Sequence, residues 1–357
     1  MTKVCYLNLV TFSKTGGIEN YNKTFLTALS RQENKEVIAI SIYDKAHEHP
    51  IINGVKFKNF DGHRLNAVKF LIPRLQHIDI LILAHVNLVP VALIAQIFKP
   101  GLKIYLNIYG IDVWKKLPFL YQFVLKRATI FSISRYTTET FIKYNPFIKQ
   151  EQIVYLPPAI DLTIKPGSEN PYQIDEYNIL TVSRLDSNDN YKGIDSIIKT
   201  LPLLTKEIKN IKYTIIGKGS DKTRLENLAQ QLGVQNQVQF KGFVEHIEPY
   251  YEYCDLFILP SKNEGFGIVY LEAMKYKKPV IAANSGGVTD VVLDSHTGFL
   301  CEYDNIDCLT DKILKFSMNG ELAIKLGENG YKYLIENFTF NQFTQRLLSF
   351  FKGNSYD

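Results

Sequence analysis

The chain alternates short runs of apolar residues with longer segments in which apolar residues recur every three or four positions. The short runs are continuous, which is the pattern of strands buried on both faces of a parallel sheet. The longer segments are typical of amphipathic helices that cover such a sheet. The pattern therefore predicts an α/β fold built from doubly wound parallel sheets.

Apolar runs predicted to be strands include 3–10, 36–43, 78–84, 103–109, 129–134, 177–183, 211–217, 237–242, 256–260 and 279–283. Helical periodicity marks the segments 18–30, 115–127, 193–208, 221–232 and 305–316, and an aromatic-rich helix is predicted near the C-terminal end. The alternation is interrupted at 158–176, where prolines, a glycine and polar residues are typical of a linker. We therefore expect two Rossmann-like domains, 1–165 and 166–339, with a C-terminal helix over 340–357 packing back onto the first.

Composition narrows the class of protein. The 357 residues are 46% apolar and 22% charged, which is typical of a globular protein and not of a disordered or fibrous one. The four cysteines show neither CxxC pairing nor metal-ligand spacing, so we expect buried free thiols in a reducing compartment.

Two apolar segments need a separate interpretation. The N-terminal run passes directly into polar "TFSKTGG", which favours a first buried strand over a signal peptide. The longer stretch 78–98 carries His85, Asn87 and Pro90 at its centre, where a bilayer would make them costly. A strand, a short loop and a helix explain it better than a membrane span. We expect a cytoplasmic protein.

Charge is distributed unevenly along the chain. The net charge is +5, but residues 1–165 carry 21 Lys and Arg against 11 Asp and Glu, whereas the remainder carries 20 against 25. A basic N-terminal half is suited to an anionic membrane surface or a phosphorylated acceptor, and equally describes a solvated basic surface. No recognised DNA or RNA module accompanies the charge, which disfavours nucleic acid.

Candidate binding residues follow the predicted strands, because ligands of doubly wound sheets collect at the carboxyl ends of strands. Arg184 and Lys192 precede a predicted helix, where two cations can hold a diphosphate and neutralise a leaving phosphate. Gly217 and Gly219 allow the backbone to approach a ligand closely. Ordinary surface charges and an ordinary strand-to-helix turn are the alternatives.

The segment "NEGFGIVYLEAM", residues 263–274, places two glutamates around a glycine-rich turn that opens a helix. Unobstructed amides at Gly265 and Gly267 and the helix dipole favour an anion. Glu272 can accept two vicinal hydroxyls, as a ribose offers, and Glu264 can reach the hydroxyls of a second sugar. Capping of a surface helix remains an alternative.

In the N-terminal half, another glycine pair and three polar side chains follow predicted strands. Gly16 and Gly17 follow the first strand and open a helix. His85 follows one later strand, and Tyr109 and Asp112 follow another. A lone histidine in this position is also consistent with a purely structural role.

Together these segments resemble glycosyltransferase family 4, whose members are retaining enzymes of the GT-B fold. The similarity is strongest over 260–300, which looks like the E-x7-E block of that family and its continuation. The segments "GGIENY", "GIDVW", "SISRYTTE", "SRLDSNDNYKGID" and "IIGKGS" occur in the order and at the spacings of the family. The resemblance implies two Rossmann-like domains facing across a cleft that holds a nucleotide diphosphate sugar.

The resemblance also implies roles for individual residues. Glu272 would hold the ribose of a UDP-sugar or GDP-sugar, and Glu264 would hold the transferred sugar. The diphosphate would be contacted by Arg184, Lys192, the amides of Phe266, Gly267 and Ile268, and the loop of Gly16 and Gly17. Gly219 would also lie in the donor site. No metal or other cofactor is expected, because the two cations supply the charge of a divalent ion. Retention would follow from attack on the leaving-group face.

One departure from the family pattern concerns Tyr109, which stands where similar members have histidine beside the transferred sugar. Tyrosine is larger and is neutral at pH 7. Our hypothesis is a donor altered at carbon 6, such as a 6-deoxy sugar or a pentose; the same donor with a tolerated change is the alternative. Asp290, where glutamate is commoner, is a milder departure.

The sequence thus predicts a retaining, metal-independent transferase that builds a surface glycan on a saccharide or lipid-linked saccharide. The candidate catalytic residues are Glu264, Arg184, Lys192 and Tyr109, and the candidate acceptor residues are His85 and Asp112. Peripheral contact with an anionic membrane is expected through the basic N-terminal domain. The alternatives are a non-catalytic sugar-nucleotide-binding subunit and another GT-B enzyme, such as a sugar-nucleotide 2-epimerase.

Overall fold

The computed structural model describes residues 1–14, 16–32, 34–45, 52–164 and 169–353, and its chain divides into two compact units. Unit 1 comprises Met1–Ala159 and the C-terminal helix, and unit 2 comprises Ile160–Thr339. The predicted boundary between 165 and 166 lies outside the described residues. The two ends of unit 2 are joined directly, since the Ile160 amide donates to the Phe338 carbonyl over 2.8 Å.

Unit 1 is built on a parallel sheet of seven described strands in the order β3-β2-β1-β4-β5-β6-β7. The strands are β1 Thr2–Asn8, β2 Lys35–Ser41, β3 Val55–Asn59, β4 Ile80–Leu83, β5 Lys103–Ile108, β6 Thr129–Ser132 and β7 Ile153–Tyr155. The helices are α1 Gly17–Ser30, α2 Arg64–Leu71, α3 Val89–Phe98, α4 Gln122–Leu125 and α5 Arg135–Tyr144. Buried Leu7, Leu83 and Leu106 from three central strands form the middle of the core.

Unit 2 repeats this architecture with six described parallel strands in the order β10-β9-β8-β11-β12-β13. The strands are β8 Tyr177–Val182, β9 Ile211–Ile216, β10 Val238–Gly242, β11 Leu256–Leu259, β12 Val280–Ala283 and β13 Phe299–Cys301. The helices are α6 Ile194–Glu207, α7 Lys222–Gln231, α8 Glu248–Tyr253, α9 Ile268–Lys275, α10 Ile306–Met318 and α11 Gly320–Asn337. Both sheets reverse their strand order once, between β1 and β4 and between β8 and β11, and such switch points are where ligands bind in these folds.

The last helix, α12 Phe340–Gly353, belongs to unit 1. Phe343 contacts the rings of Tyr21 and Phe25, and Phe350 contacts those of Tyr105 and Phe131. The aromatic richness of this segment is therefore explained by burial against the sheet and α1.

Predictions from sequence periodicity were wrong for several elements. The helix predicted over 115–127 is confined to a 3-10 turn, Phe119–Tyr121, followed by α4. Pro118 precedes the turn with extended backbone, and a proline disfavours helical geometry in the residue before it. The strands β3, β7 and β13 were missed, because two of them have three residues and β3 alternates apolar with charged residues.

The expectation of four free thiols is wrong for one pair. Cys301 and Cys308 are joined by a disulfide across seven positions, because β13 and the first turn of α10 bring them together. Cys5 and Cys254 are free, and burial raises the pKa of each to about 12, so both thiols are unreactive at neutral pH. Within the described ranges, no helix is both long enough and apolar enough to cross a bilayer.

Candidate functional site

The switch point of unit 2 brings two loops together at the carboxyl ends of β8 and β11. Gly193 has a left-handed φ of +72°, and a Cβ there would lie 2.5 Å from the Pro260 carbonyl oxygen. The Lys262 amide donates to the Tyr191 carbonyl over 2.8 Å. The glycine is needed because only a residue without a side chain allows this approach.

An ion pair joins the ends of these two loops. The Lys192 Nζ donates to the Glu264 Oε2 over 2.7 Å, and the side chains are only 13% and 21% exposed. Two residues predicted from separate motifs thus meet across 72 positions of the chain. A phosphate can compete for the ammonium group at this point, while the carboxylate can accept hydroxyl groups.

A second glycine-rich turn holds Glu264 in place. The Gly287 amide donates to the Glu264 carbonyl over 2.8 Å. Gly286 has a φ of +68°, and a Cβ there would lie 2.5 Å from the same carbonyl oxygen. The Ser285 hydroxyl donates to the Lys262 carbonyl. The sequence marks this segment only as the continuation of the motif before it, although the glycine pair three residues after β12 is typical of a tight turn.

The helix α9 begins beside Glu264. Gly267 is left-handed, with a φ of +94°, and the helix starts at Ile268, so its first amides lack intrahelical acceptors. The Phe266 ring is buried and packs against Phe338, which leaves only its backbone for a ligand. The start of α9 therefore presents a positive dipole end next to the ion pair.

Glu272 lies on α9, half-buried, and its Oε2 accepts the Tyr251 hydroxyl over 2.7 Å. Burial raises the pKa of Glu272 above its ordinary value, while the Tyr251 hydrogen bond acts in the opposite direction. Tyr251 is fully buried and was not identified from the sequence. Its hydroxyl fixes the orientation of the carboxylate.

Arg184 is exposed and lines a small depression together with Lys192 and Gly193. Nearby Asp195 and Asp221 are both engaged by Arg224, at 3.6 and 2.6 Å, so their charge is offset locally. The two predicted diphosphate ligands are thus brought to one place at the start of α6.

Gly217 and Gly219 have a packing explanation that needs no ligand. A Cβ on Gly217 would lie 1.8 Å from the Ser183 carbonyl oxygen, and one on Gly219 would lie 1.9 Å from that of Leu185. The Leu185 amide donates to the Lys218 carbonyl over 3.0 Å. The glycines therefore hold the loop that carries Arg184.

In unit 1, Tyr109 lies in a buried polar network. Its hydroxyl donates to the Asn22 Oδ1 over 3.2 Å, and the Tyr6 hydroxyl donates to the same oxygen over 2.7 Å. The Asn107 amide donates to Tyr6 over 3.1 Å. Tyr109 is 9% exposed, and burial raises its pKa well above the ordinary value, so the phenol is neutral.

His85 and Asp112 shape the turns after β4 and β5. The His85 Nδ1 accepts the Asn87 amide over 3.1 Å, and burial, with a smaller effect of Lys115, lowers its pKa. The Asp112 Oδ1 accepts the Tyr109 amide over 3.2 Å, while its Oδ2 has no hydrogen-bond partner among the described residues. Burial raises the pKa of Asp112 to about 7. The His85 and Tyr109 ring centroids are 6.4 Å apart.

The loop after β1 is held by a buried carboxylate that the sequence did not reveal. Asp44, with no exposed surface, accepts the amides of Thr11, Phe12 and Ser13 over 2.9–3.0 Å. Gly16 follows in extended conformation, and α1 begins at Gly17. Both predicted glycines therefore lie at the start of a helix near the first switch point.

A cavity of about 450 Å³ lies in unit 1 at the carboxyl ends of β1 and β2. Most of its wall is apolar, with Arg64, Tyr43 and Asn87 as polar members. Pro90 and Tyr121 also line the cavity. Within the described ranges, no three His, Cys, Asp or Glu side chains are grouped as a metal site.

Comparison with known proteins identifies relatives of part of the chain. Residues 168–333 match the family model described as "Glycosyl transferases group 1". An uncharacterized glycosyltransferase of Haemophilus influenzae is 32% identical over 157 residues, 44% of each chain. A GDP-mannose-dependent alpha-(1-6)-phosphatidylinositol monomannoside mannosyltransferase of Mycobacterium tuberculosis is 26% identical over 263 residues, covering 68% of this chain and 67% of that one. The chain thus spans less than half of the Haemophilus relative.

Among solved structures, Anabaena Alr3699/HepE in complex with UDP superposes with a TM-score of 0.80 at 18% identity, covering 99% of this chain and all of that one. A glycosyltransferase from Rickettsia africae gives 0.79, also at 18% identity, over 99% of this chain and 98% of that one. The chain has the GT-B fold of two Rossmann-like units, and residues 168–333 carry the pattern of group 1 glycosyltransferases.

Proposed function

We propose that the chain is a retaining glycosyltransferase of family 4. It transfers a sugar from a nucleotide diphosphate sugar to a saccharide or lipid-linked saccharide during synthesis of a surface glycan. The observation that carries the proposal is the Lys192–Glu264 ion pair at the switch point of unit 2, beside the start of α9. The printed names of similar proteins, one GDP-mannose-dependent and one crystallised with UDP, support a nucleotide-sugar donor with either base.

Each donor contact has a proposed place in unit 2. Glu272, oriented by Tyr251, accepts the ribose hydroxyls, and Glu264 accepts hydroxyls of the transferred sugar. Arg184 and Lys192 bind the diphosphate, with the amides at the start of α9. The roles of Gly16, Gly17 and Tyr109 toward the donor stay predictions from the sequence.

The reaction breaks the bond between the anomeric carbon and the terminal phosphate oxygen and forms a bond from that carbon to an acceptor oxygen. The acceptor proton passes to the leaving phosphate. Lys192 and Arg184 stabilise the negative charge that grows on this phosphate, so that no metal is required. A chelator should therefore leave the initial rate unchanged, whereas a lost rate restored by Mg²⁺ would contradict this part of the proposal.

Substitution of Lys192 tests the donor site. We expect Lys192→Ala to lower kcat/KM about 100-fold or more, because a cation at the developing charge contributes mainly in the transition state. Lys199→Ala is the matched control, since Lys199 is 39% exposed and pairs with Asp304 on the same unit. Initial rates with radiolabelled donors, with thermal unfolding as a folding check, give the comparison. Equal rates for the two variants would contradict the assigned role.

Tyr109 is proposed to set the identity of the donor. Tyr109 stands at the sequence position where members of the resembled family have histidine, and its ring is buried. We take this to favour a sugar altered at carbon 6, with an unchanged donor as the alternative. Tyr109→His should shift preference towards an ordinary hexose, whereas Tyr109→Phe, which keeps the bulk, should retain the original preference. A wild-type screen that strongly prefers a hexose with a free 6-hydroxyl would reject the hypothesis.

For the acceptor, we propose the carboxyl end of the sheet in unit 1, where His85 and Asp112 lie on neighbouring turns. Proton NMR of the product decides the stereochemical part, since retention predicts the anomer of the donor. The non-catalytic alternative predicts donor binding, seen by calorimetry, with neither transfer nor hydrolysis.

A further inference from the structure

Unit 1 carries an exposed surface of large apolar side chains, which we call the apolar face. It comprises Ile94, Ile97 and Phe98 of α3 and Phe119, Leu120 and Phe123 of the segment that includes α4. Their exposed fractions run from 38% for Ile94 to 76% for Ile97. Six large apolar side chains exposed on neighbouring elements of a folded protein indicate a contact with a partner or a membrane.

The members of the apolar face lie together. The α3 residues are spaced three and four positions apart, which places them on one side of the helix. The helix packs against α4 and the preceding 3-10 turn. The Phe119 and Phe123 rings are in edge-to-face contact, with centroids 5.8 Å apart. The surface is thus continuous across two elements.

Basic residues flank the second segment of the apolar face in sequence. Lys115 and Lys116 lie four and three positions before Phe119, Lys126 and Arg127 lie three and four positions after Phe123, and all four are exposed. Between residues 80 and 138 the chain has seven Lys and Arg but only one acidic residue, Asp112. The apolar face therefore lies in a part of the chain with an excess of positive charge.

The charge decides between possible occupants. A second copy of the chain in a two-fold dimer would bring this face against itself, and positive side chains would oppose one another. An anionic bilayer instead accepts apolar side chains below its headgroups and cationic side chains among them. We propose that the apolar face docks on an anionic lipid bilayer, with Phe119, Leu120 and Phe123 entering the headgroup region.

Docking would also place the cavity of unit 1 near the lipid. Pro90 and Val91 of α3 and Tyr121 between the two phenylalanines line that cavity. A lipid-linked acceptor could then reach unit 1 without leaving the membrane. This last step rests on the proposed function, whereas docking itself does not.

Vesicle sedimentation at low salt tests the proposal with the full chain. We expect binding to vesicles containing phosphatidylglycerol and little binding to pure phosphatidylcholine. Phe119→Ser with Phe123→Ser should reduce the bound fraction about tenfold or more, and Phe243→Ser, on a residue 68% exposed in unit 2, should not. Ile97→Ser and Ile324→Ser form a second matched pair on exposed helix positions.

The electrostatic part has its own pair of variants. Lys115→Glu with Lys116→Glu should weaken binding at low salt, while Lys206→Glu with Lys209→Glu, exposed in unit 2, should have little effect. Absence of binding to anionic vesicles, equal effects of face and control variants, or self-association through the face in light scattering would each overturn the proposal. Donor hydrolysis in the absence of vesicles is measured in parallel. Vesicle binding without hydrolysis would count against the proposed function alone.

Discussion

At the scale of single residues, burial sets the charge of the groups that line the candidate sites. Tyr109 and His85 are both held in their neutral forms, one by burial that raises its pKa and the other by burial that lowers it. In unit 2, by contrast, Lys192 and Glu264 form an ion pair. The two units therefore present different chemistry at the carboxyl ends of their sheets.

Asp112 provides a pH-dependent prediction. Its pKa is about 7 in the folded chain, against ~3.9 for an unperturbed aspartate, so the folded state retains a proton that the unfolded state has released between these values. The contribution of Asp112 to the free energy of unfolding should therefore fall as the pH rises from about 4 to 7, and the full loss should apply above about 7.

We accordingly expect Asp112→Asn to raise the free energy of unfolding at pH 8 by roughly 1–3 kcal/mol, with little effect near pH 4. Denaturant unfolding at the two pH values is the measurement. Asp311→Asn is the control, on an exposed residue that pairs with Lys312. A gain at pH 4 as large as that at pH 8 would show that the carboxylate charge is not responsible.

At the scale of elements, the donor site depends on turns that hold neighbouring loops at backbone distance. Gly193 allows the loop after β8 to reach Pro260, and Gly286 allows the turn after β12 to reach Glu264. Both have left-handed φ angles, a conformation that costs a residue with a Cβ atom roughly 1–2 kcal/mol. The site residues are therefore positioned by backbone contact between loops.

Gly286→Ala and Gly233→Ala separate strain from displacement. Gly233 has a similar φ of +70° but no atom within 4 Å of an added Cβ. Gly233→Ala should lose roughly 1 kcal/mol of stability through backbone strain alone, and Gly286→Ala should lose more because its methyl group also meets the Glu264 backbone. Only Gly286→Ala should reduce transfer, by about tenfold or more, because the methyl group displaces Glu264. Unfolding curves and kcat/KM give the two readouts, and equal activity of the variants would refute the displacement.

At the scale of the whole molecule, unit 1 is built from two separate parts of the chain. Its first part ends at Ala159, and the last helix, α12, completes it. Phe343 of α12 is 1% exposed and packs between Tyr21 and Phe25 of α1. The stability of unit 1 therefore depends on a segment synthesised after the whole of unit 2.

Phe343→Ala should lower the free energy of unfolding of unit 1 by about 3–5 kcal/mol, the usual cost of removing a buried phenylalanine. Trp114 is the one tryptophan in the sequence and lies in unit 1, so its fluorescence reports this transition. Phe316→Ala, on a residue 2% exposed in unit 2, should change the Trp114 transition less. An unchanged midpoint for Phe343→Ala would show that α12 adds little to unit 1.

Local pattern was sufficient to predict the two parallel sheets, and it also selected the candidate site residues. Continuous apolar runs and helical periodicity predicted the two parallel sheets, and the rule that ligands lie at the carboxyl ends of strands selected Arg184, Lys192, Glu264 and Glu272. The architecture was predicted correctly because it rests on neighbours in sequence, whose apolar spacing directly reflects which faces are buried. The roles of the four selected side chains stay predictions. The prediction of a helix over 115–127 was wrong because Pro118 disfavours helical geometry despite the apolar periodicity.

The pairing of side chains in the candidate sites depends on contacts between segments that are distant in sequence. Lys192 pairs with Glu264 across 72 positions, Asp44 holds amides more than 30 positions earlier, and Tyr109 is bound to Asn22 across 87 positions. Each contact depends on strand order and loop approach, which no local window of sequence contains. The sequence by itself determined which elements form and which side chains follow them; tertiary structure decided which of those side chains meet, because only the folded sheets bring their loops within hydrogen-bonding distance.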